Sequence, residues 1–122
     1  MTANQIIALV DLKEPNSYTA SEKINWLSNL DGKIFEEVIR THEGCGDAAP
    51  PAPYADGFEE LLIGAPYGED IYVHYLIAMI AAGNAETARY NQQIAMYNAN
   101  YSQWWNRYNA THRPLGGQRF VF

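Results

Sequence analysis

Residues able to do chemistry are present but do not gather. His42, Glu43 and Cys45 lie close together in the chain, and His74 and His112 are the remaining histidines. No Cys or His pair has the spacing of a closed zinc site, so no metal and no cofactor is expected. Glu36-Glu37 and Glu59-Glu60 are adjacent carboxylates, and neighbours in sequence do not share a helix face. Ser17, Ser21 and Ser28 lack the strand–turn–helix setting of a nucleophile elbow. The glycines are scattered, with no phosphate-cradling arrangement. Asn109-Ala110-Thr111 matches a glycosylation acceptor, which has meaning only in a secreted chain. His74 falls among apolar neighbours and reads as a hydrogen-bonded core histidine. The chemistry points away from an enzyme and towards a protein that works through its surfaces.

The element that dominates those surfaces is the stretch from Tyr67 to His112. Val73, Leu76, Ile80, Gly83, Thr87, Tyr90, Ile94, Tyr97, Tyr101, Trp104 and Tyr108 recur at alternating intervals of three and four, which is one stripe on one helix face. Pro66 precedes it, Glu69 and Asp70 suit the positive end of a helix dipole, and Pro114 stops it. Such a helix runs roughly 60 Å, whereas a compact chain of this size has a radius of gyration of about 14 Å. It must overhang its core or fold back at Gly83-Asn84. The unbroken phase favours a continuous helix, kinked at most at Gly83, over a hairpin.

Its halves differ. Ile71–Ala82 is apolar nearly all round, as in a helix buried within its own fold, and is too short for a membrane span. Beyond Arg89 the stripe narrows to large rings, and the other faces carry Asn91, Gln92, Gln93, Asn98, Asn100, Gln103 and Asn106. Neutral amides are poorer helix formers than Lys or Glu, so this composition suits a surface that meets protein. Tyr90, Ile94, Tyr97, Tyr101, Trp104, Trp105 and Tyr108 are the candidate subunit or partner interface.

Upstream, Thr2 with Gln5 and Thr19 with Glu22 form two capping boxes. The first opens a short helix with Ile6, Ile7, Leu9 and Val10 on its apolar face, ended by Pro15. The second opens a longer one with Ile24, Leu27, Leu30, Ile34 and Val38 in line, and Asp31-Gly32 as a weak spot where it could kink. From Thr41 to Gly64 the periodicity disappears into Gly, Ala, Pro and acid, a loop or arm long enough to order on assembly. Phe58, Leu61, Leu62 and Ile63 form a candidate strand whose partner would belong to another chain. After Pro114, Gly116-Gly117 leads to Gln118-Arg119-Phe120-Val121-Phe122. Arg113, Arg119, Phe120, Val121 and Phe122 make up a candidate docking peptide.

At 122 residues with one cysteine, the chain reads as a single domain without an internal disulfide framework. The first twelve residues lack the marks of a signal peptide, so a cytoplasmic origin is expected. Residues 1–86 hold four Lys/Arg and all fourteen Asp/Glu, whereas residues 87–122 hold four Arg and no acid. Four dispersed arginines make a poor phosphate footprint. The polarity instead favours head-to-tail contacts between copies, or a basic tail seeking an acidic partner. The fold class is mainly α: a small helical bundle over residues 1–112, with one long C-terminal helix, a loop or arm at 41–66, and an extended tail at 113–122.

Several segments also resemble a known group. They are Trp26-Leu27-Ser28-Asn29-Leu30-Asp31-Gly32-Lys33-Ile34, Ala65-Pro66-Tyr67 with Ile71-Tyr72 and Tyr75-Leu76, Arg89-Tyr90-Asn91, Met96-Tyr97-Asn98, and Tyr108-Asn109-Ala110-Thr111-His112. Together they resemble the head–tail connector, adaptor or head-completion proteins of tailed bacteriophages and prophages. The resemblance covers roughly residues 4–113 and departs from the pattern at Gly44–Gly57 and in the Gly-Gly tail. It implies a homo-oligomeric ring, typically of twelve copies, beneath the portal protein and against the next neck or tail protein. DNA would pass without sequence-specific grip, in a virion neck assembled in the host cytoplasm. The alternatives are another phage structural role, as a tail-completion or minor capsid-associated protein, or a small cytoplasmic regulatory module that binds a host protein.

Overall fold

The computed structural model describes residues 1–38, 52–64 and 66–111, the side chain of Thr111 excepted. Four helices account for most of them: α1 (Ala3–Lys13), α2 (Ala20–Glu37), α3 (Gly68–Gly83) and α4 (Thr87–Thr111). Both capping boxes form as expected. The Thr2 hydroxyl accepts from the Gln5 N–H and the Gln5 amide accepts from the Thr2 N–H, with the same reciprocal pair between Thr19 and Glu22. Each box satisfies two N–H groups that a helix start leaves without partners.

α3 is the hub of the bundle and packs against the other three helices. Its buried residues, Ile71, Tyr72, Val73, Leu76, Ile77, Ala78, Ile80 and Ala81 among them, surround the whole axis. This is the burial expected for the all-round apolar half of the long stripe. α1 contributes Ala3, Ile6, Ile7 and Val10, and α2 contributes Ile24, Leu27, Leu30, Ile34 and Phe35. α2 runs unbroken through Asp31-Gly32, so the expected weak spot produces no break there.

The long helix is not continuous. The chain turns at Asn84–Glu86, and α4 folds back along α3 in the most extensive helix pair of the structure. α3 ends in a Schellman arrangement. The Glu86 N–H donates to the Ala81 carbonyl and the Ala85 N–H to the Ala82 carbonyl, with Ala85 in the left-handed region at φ 59°. Phase continuity misled because a hairpin that packs on itself needs the same stripe on both arms. Gly83 has another reason to be glycine. A Cβ there would lie 1.9 Å from the Tyr18 hydroxyl, and the Tyr18 ring is set edge-on against Trp26 with centroids 5.2 Å apart.

The second half of the expected arm is part of the fold. Residues 57–61 run antiparallel to the first residues of the chain. The Ala3 N–H donates to Glu59, the Asn4 N–H to Gly57, and the Leu61 N–H to Met1, around a bridge between Thr2 and Glu60. The partner expected on another chain is therefore this chain's own N-terminal segment. Leu61 and Ile63 are buried in the core. Residues 39–51, and the docking tail with Arg113, Arg119, Phe120, Val121 and Phe122, lie outside the described residues.

Candidate functional site

The aromatic stripe of α4 faces inward. Ring centroids step from Tyr75 on α3 to Tyr97 (5.4 Å), then to Tyr101 (5.7 Å), Trp104 (5.6 Å) and Tyr108 (5.3 Å). These are normal separations for interacting rings. Trp104 is only 8% exposed and belongs to the hydrophobic core, with Tyr97, Tyr101 and Tyr108 packed against it. Tyr90 and Ile94 are half-buried. Burial raises the phenol pKa of Tyr75, Tyr97 and Tyr101. Trp104, expected at an interface, is covered within this chain. Of the seven residues, only Trp105 is exposed, at 43%.

The side of α4 turned away from α3 is different. Ala95, Asn98, Ala99, Ser102, Gln103 and Asn106 are exposed there, Met96 is exposed at the edge over a cleft it shares with Val73, His74 and Ile77 of α3, and no residue from Tyr90 to Asn106 carries a charge. Arg89 and Arg107 bracket the face. Arg89 is ion-paired with Glu14, which ties the first turn of α4 to the end of α1. His74 is half-buried, and its Nδ1 lies 2.8 Å from Oε1 of Gln93. It is hydrogen-bonded as expected, but across the α3–α4 seam and not deep in the core.

The main polar feature inside the bundle lies elsewhere, at Asp31, which is wholly buried. Its Oδ1 accepts from the Tyr72 hydroxyl at 2.5 Å, and its Oδ2 from the Tyr54 hydroxyl at 2.5 Å and the Leu62 N–H at 3.0 Å. The Tyr72 oxygen in turn accepts from the Ile63 N–H at 3.0 Å. Burial pushes the Asp31 carboxyl above its ordinary pKa, and the donors from Tyr54, Tyr72 and Leu62 pull it partly back. Both phenols are shifted upward by burial and by the neighbouring carboxylate. The arrangement welds residues 54–63 to α2 and α3. Held this way, Asp31 is a structural acceptor. Its signal was present: Ile24, Leu27, Asp31, Ile34 and Val38 alternate by three and four, which places the acid on the buried stripe.

A second polar knot closes the α1–α2 turn. The buried Lys23 ammonium donates to Asp11 at 2.7 Å and to Asn16 at 3.1 Å. No buried side-chain nitrogen or oxygen among the described residues lacks a hydrogen-bond partner. Among them, too, no group of three or more His, Cys, Asp or Glu could hold a metal ion. A groove of about 850 Å³ runs beside α2, with Trp26, Tyr75 and Met79 giving apolar surface and Asn25, Asn29 and Lys33 giving polar surface.

Large apolar side chains that remain in water are Leu12 (83% exposed), Phe58 (74%), Met96 (43%) and Trp105 (43%). Sequence reasoning assigned Phe58 to a strand and did not single out Leu12 or Met96. Searches for relatives return no matching family model, curated protein or solved structure.

Proposed function

We propose that this chain is a structural subunit of a tailed-phage neck. Copies assemble head to tail into a ring, of twelve subunits by the family resemblance, between the portal and the next neck or tail protein. The observation that carries the reading is the outer face of α4: from Tyr90 to Asn106 it is helical and without charge, and Ala95, Met96, Ala99 and Gln103 are open to solvent. An exposed helix face is ordinarily populated by charged residues, and a charge-depleted patch is the compositional mark of an interface core. The inward aromatic stripe packs α4 against the core and leaves this outer face to solvent.

Charge distribution favours unlike faces meeting. α4 has two arginines and no acid, while the remainder of the described chain is acid-rich. Cyclic assemblies use two different patches per subunit, and opposite charge sets which pairs with which. On the same reading the tail from Arg113 to Phe122 reaches the portal or the adjoining ring, and acidic surface lines a channel that DNA crosses without base recognition. No described helix is long and apolar enough to cross a membrane.

Negative-stain imaging of the purified protein, alone and with a portal ring, tests the proposal. Rings with a central hole, or a collar added to the portal, are the expected result. A protein that stays monomeric in the presence of portal and pairs instead with a single host protein would overturn it.

A further inference from the structure

We infer that Phe58 is the anchor by which one copy grips the outer face of α4 on the next. Phe58 sits at the crest of a turn held by hydrogen bonds on both sides. The Glu59 carboxylate accepts from the Ala55 N–H at 2.9 Å and the Gly57 N–H at 3.0 Å, and the Asp56 carboxylate accepts from the Phe58 N–H at 3.1 Å. Asn4 fastens the base: its side chain donates to the Asp56 carbonyl at 3.1 Å and its backbone N–H to the Gly57 carbonyl at 2.9 Å. Gly57 has φ +84°, and a Cβ there would lie 2.1 Å from the Asn4 Oδ1, so the turn accepts no side chain at that point. All this order holds up a phenyl ring that remains 74% exposed. A rigid aromatic projecting from a preordered turn loses little entropy on binding and is the usual form of an interface hot spot.

The occupant on the other side is a second copy of this chain, and charge is what selects it. Phe58 has Asp56, Glu59 and Glu60 beside it in the chain, Glu60 being ion-paired with the Met1 ammonium at 3.1 Å, so its receptor should be uncharged at the centre and free of acid at the rim. The outer face of α4 has that form. Ala95 and Ala99, one turn apart, leave a shallow floor, Met96 and Gln103 stand beside it, and no acid occurs anywhere on the helix. The α2 surface bearing Glu36 and Glu37 would repel the same knob. The two patches lie on different elements of one chain, so the contact can repeat head to tail around a ring. It takes from the neck reading only that the partner is another copy; the portal plays no part in it.

Photocrosslinking tests the contact directly. Phe58 is replaced by benzoylphenylalanine, mixed with a uniformly heavy-isotope copy, irradiated at up to about millimolar concentration, the local level that neighbouring subunits experience, and mapped by mass spectrometry. The expected product joins residue 58 of one copy to a peptide within 90–107 of the other. In parallel, Phe58→Ser and Ala99→Glu should each weaken self-association at least tenfold in sedimentation, with thermal midpoints within a few degrees of the parent. Interchain adducts confined to other surfaces, self-association unchanged in both variants, or a monomer at every concentration would each overturn the contact. Portal binding is read separately. Its loss with the crosslink intact sinks the neck reading alone, and its retention without the crosslink sinks this one alone.

Discussion

Asp31 is a carboxylate taken wholly out of water, and three donors make it tolerable. Asp31→Ala would strand two phenol hydroxyls and the Leu62 N–H, costing about 3 kcal/mol, measurable as a shift in the urea midpoint. Tyr72→Phe should cost more than Tyr54→Phe, because the Tyr72 oxygen also serves the Ile63 N–H. Burial raises the folded-state pKa of Asp31 above its unfolded value of about 3.9. The folded chain therefore keeps this proton to higher pH than the unfolded chain does. Its contribution is full below the unfolded pKa and is lost as pH rises through the folded one. Stability of the parent relative to Asp31→Asn should accordingly fall as pH climbs above about 4, in paired denaturation series. A difference that grows with pH would show that hydrogen bonding outweighs burial at this carboxyl.

Among the elements, the α3–α4 hairpin makes the sharpest predictions. Ala85 occupies the left-handed position that glycine normally fills, so Ala85→Gly should stabilise the protein by about 1 kcal/mol in thermal or urea unfolding. Trp104 and Trp105 are adjacent but unequal. Trp104→Ala should cost about 3–5 kcal/mol, as for a core aromatic, whereas Trp105→Ala should leave stability within about 0.5 kcal/mol. Here the sequence was partly legible. Caps at Thr2 and Thr19, the buried stripe of α2, and the all-round burial of α3 follow from local pattern, because each is written within a few residues. What stayed hidden depended on distant partners. A stripe cannot say whether it meets another chain or its own fold-back, and Leu61 and Ile63 could not announce that their strand-like neighbour was Met1–Asn4. The exposure of Phe58 was illegible for the same reason, since its turn rests on Asn4 and on the positive φ at Gly57. The acid at position 31 was legible and was missed by reading Asp31-Gly32 as a flaw in the helix when the residue continued its stripe.

At the scale of the molecule, a closed core coexists with a charge-free helix face and a projecting aromatic turn. The ring reading predicts that self-association, if governed by the acidic and basic faces, weakens as salt rises through the physiological range, where the screening length is about 8 Å. Sedimentation at low and high ionic strength checks this. Assembly insensitive to salt would assign the contact to apolar burial alone. Raised pKa values along the inner stripe add no pH dependence near neutrality, because those phenols stay protonated there in the folded and unfolded chain alike.

The pairing of Met1–Asn4 with Gly57–Leu61 also bears on how the polypeptide is born. Translation delivers α1 first, yet its docking strip is about sixty residues behind it. At about 5–20 residues per second, the nascent helix waits several seconds for that strip and for α3, against which it packs. α1 is thus secured well after it is made, and its greasy side is a natural client for a chaperone during that interval.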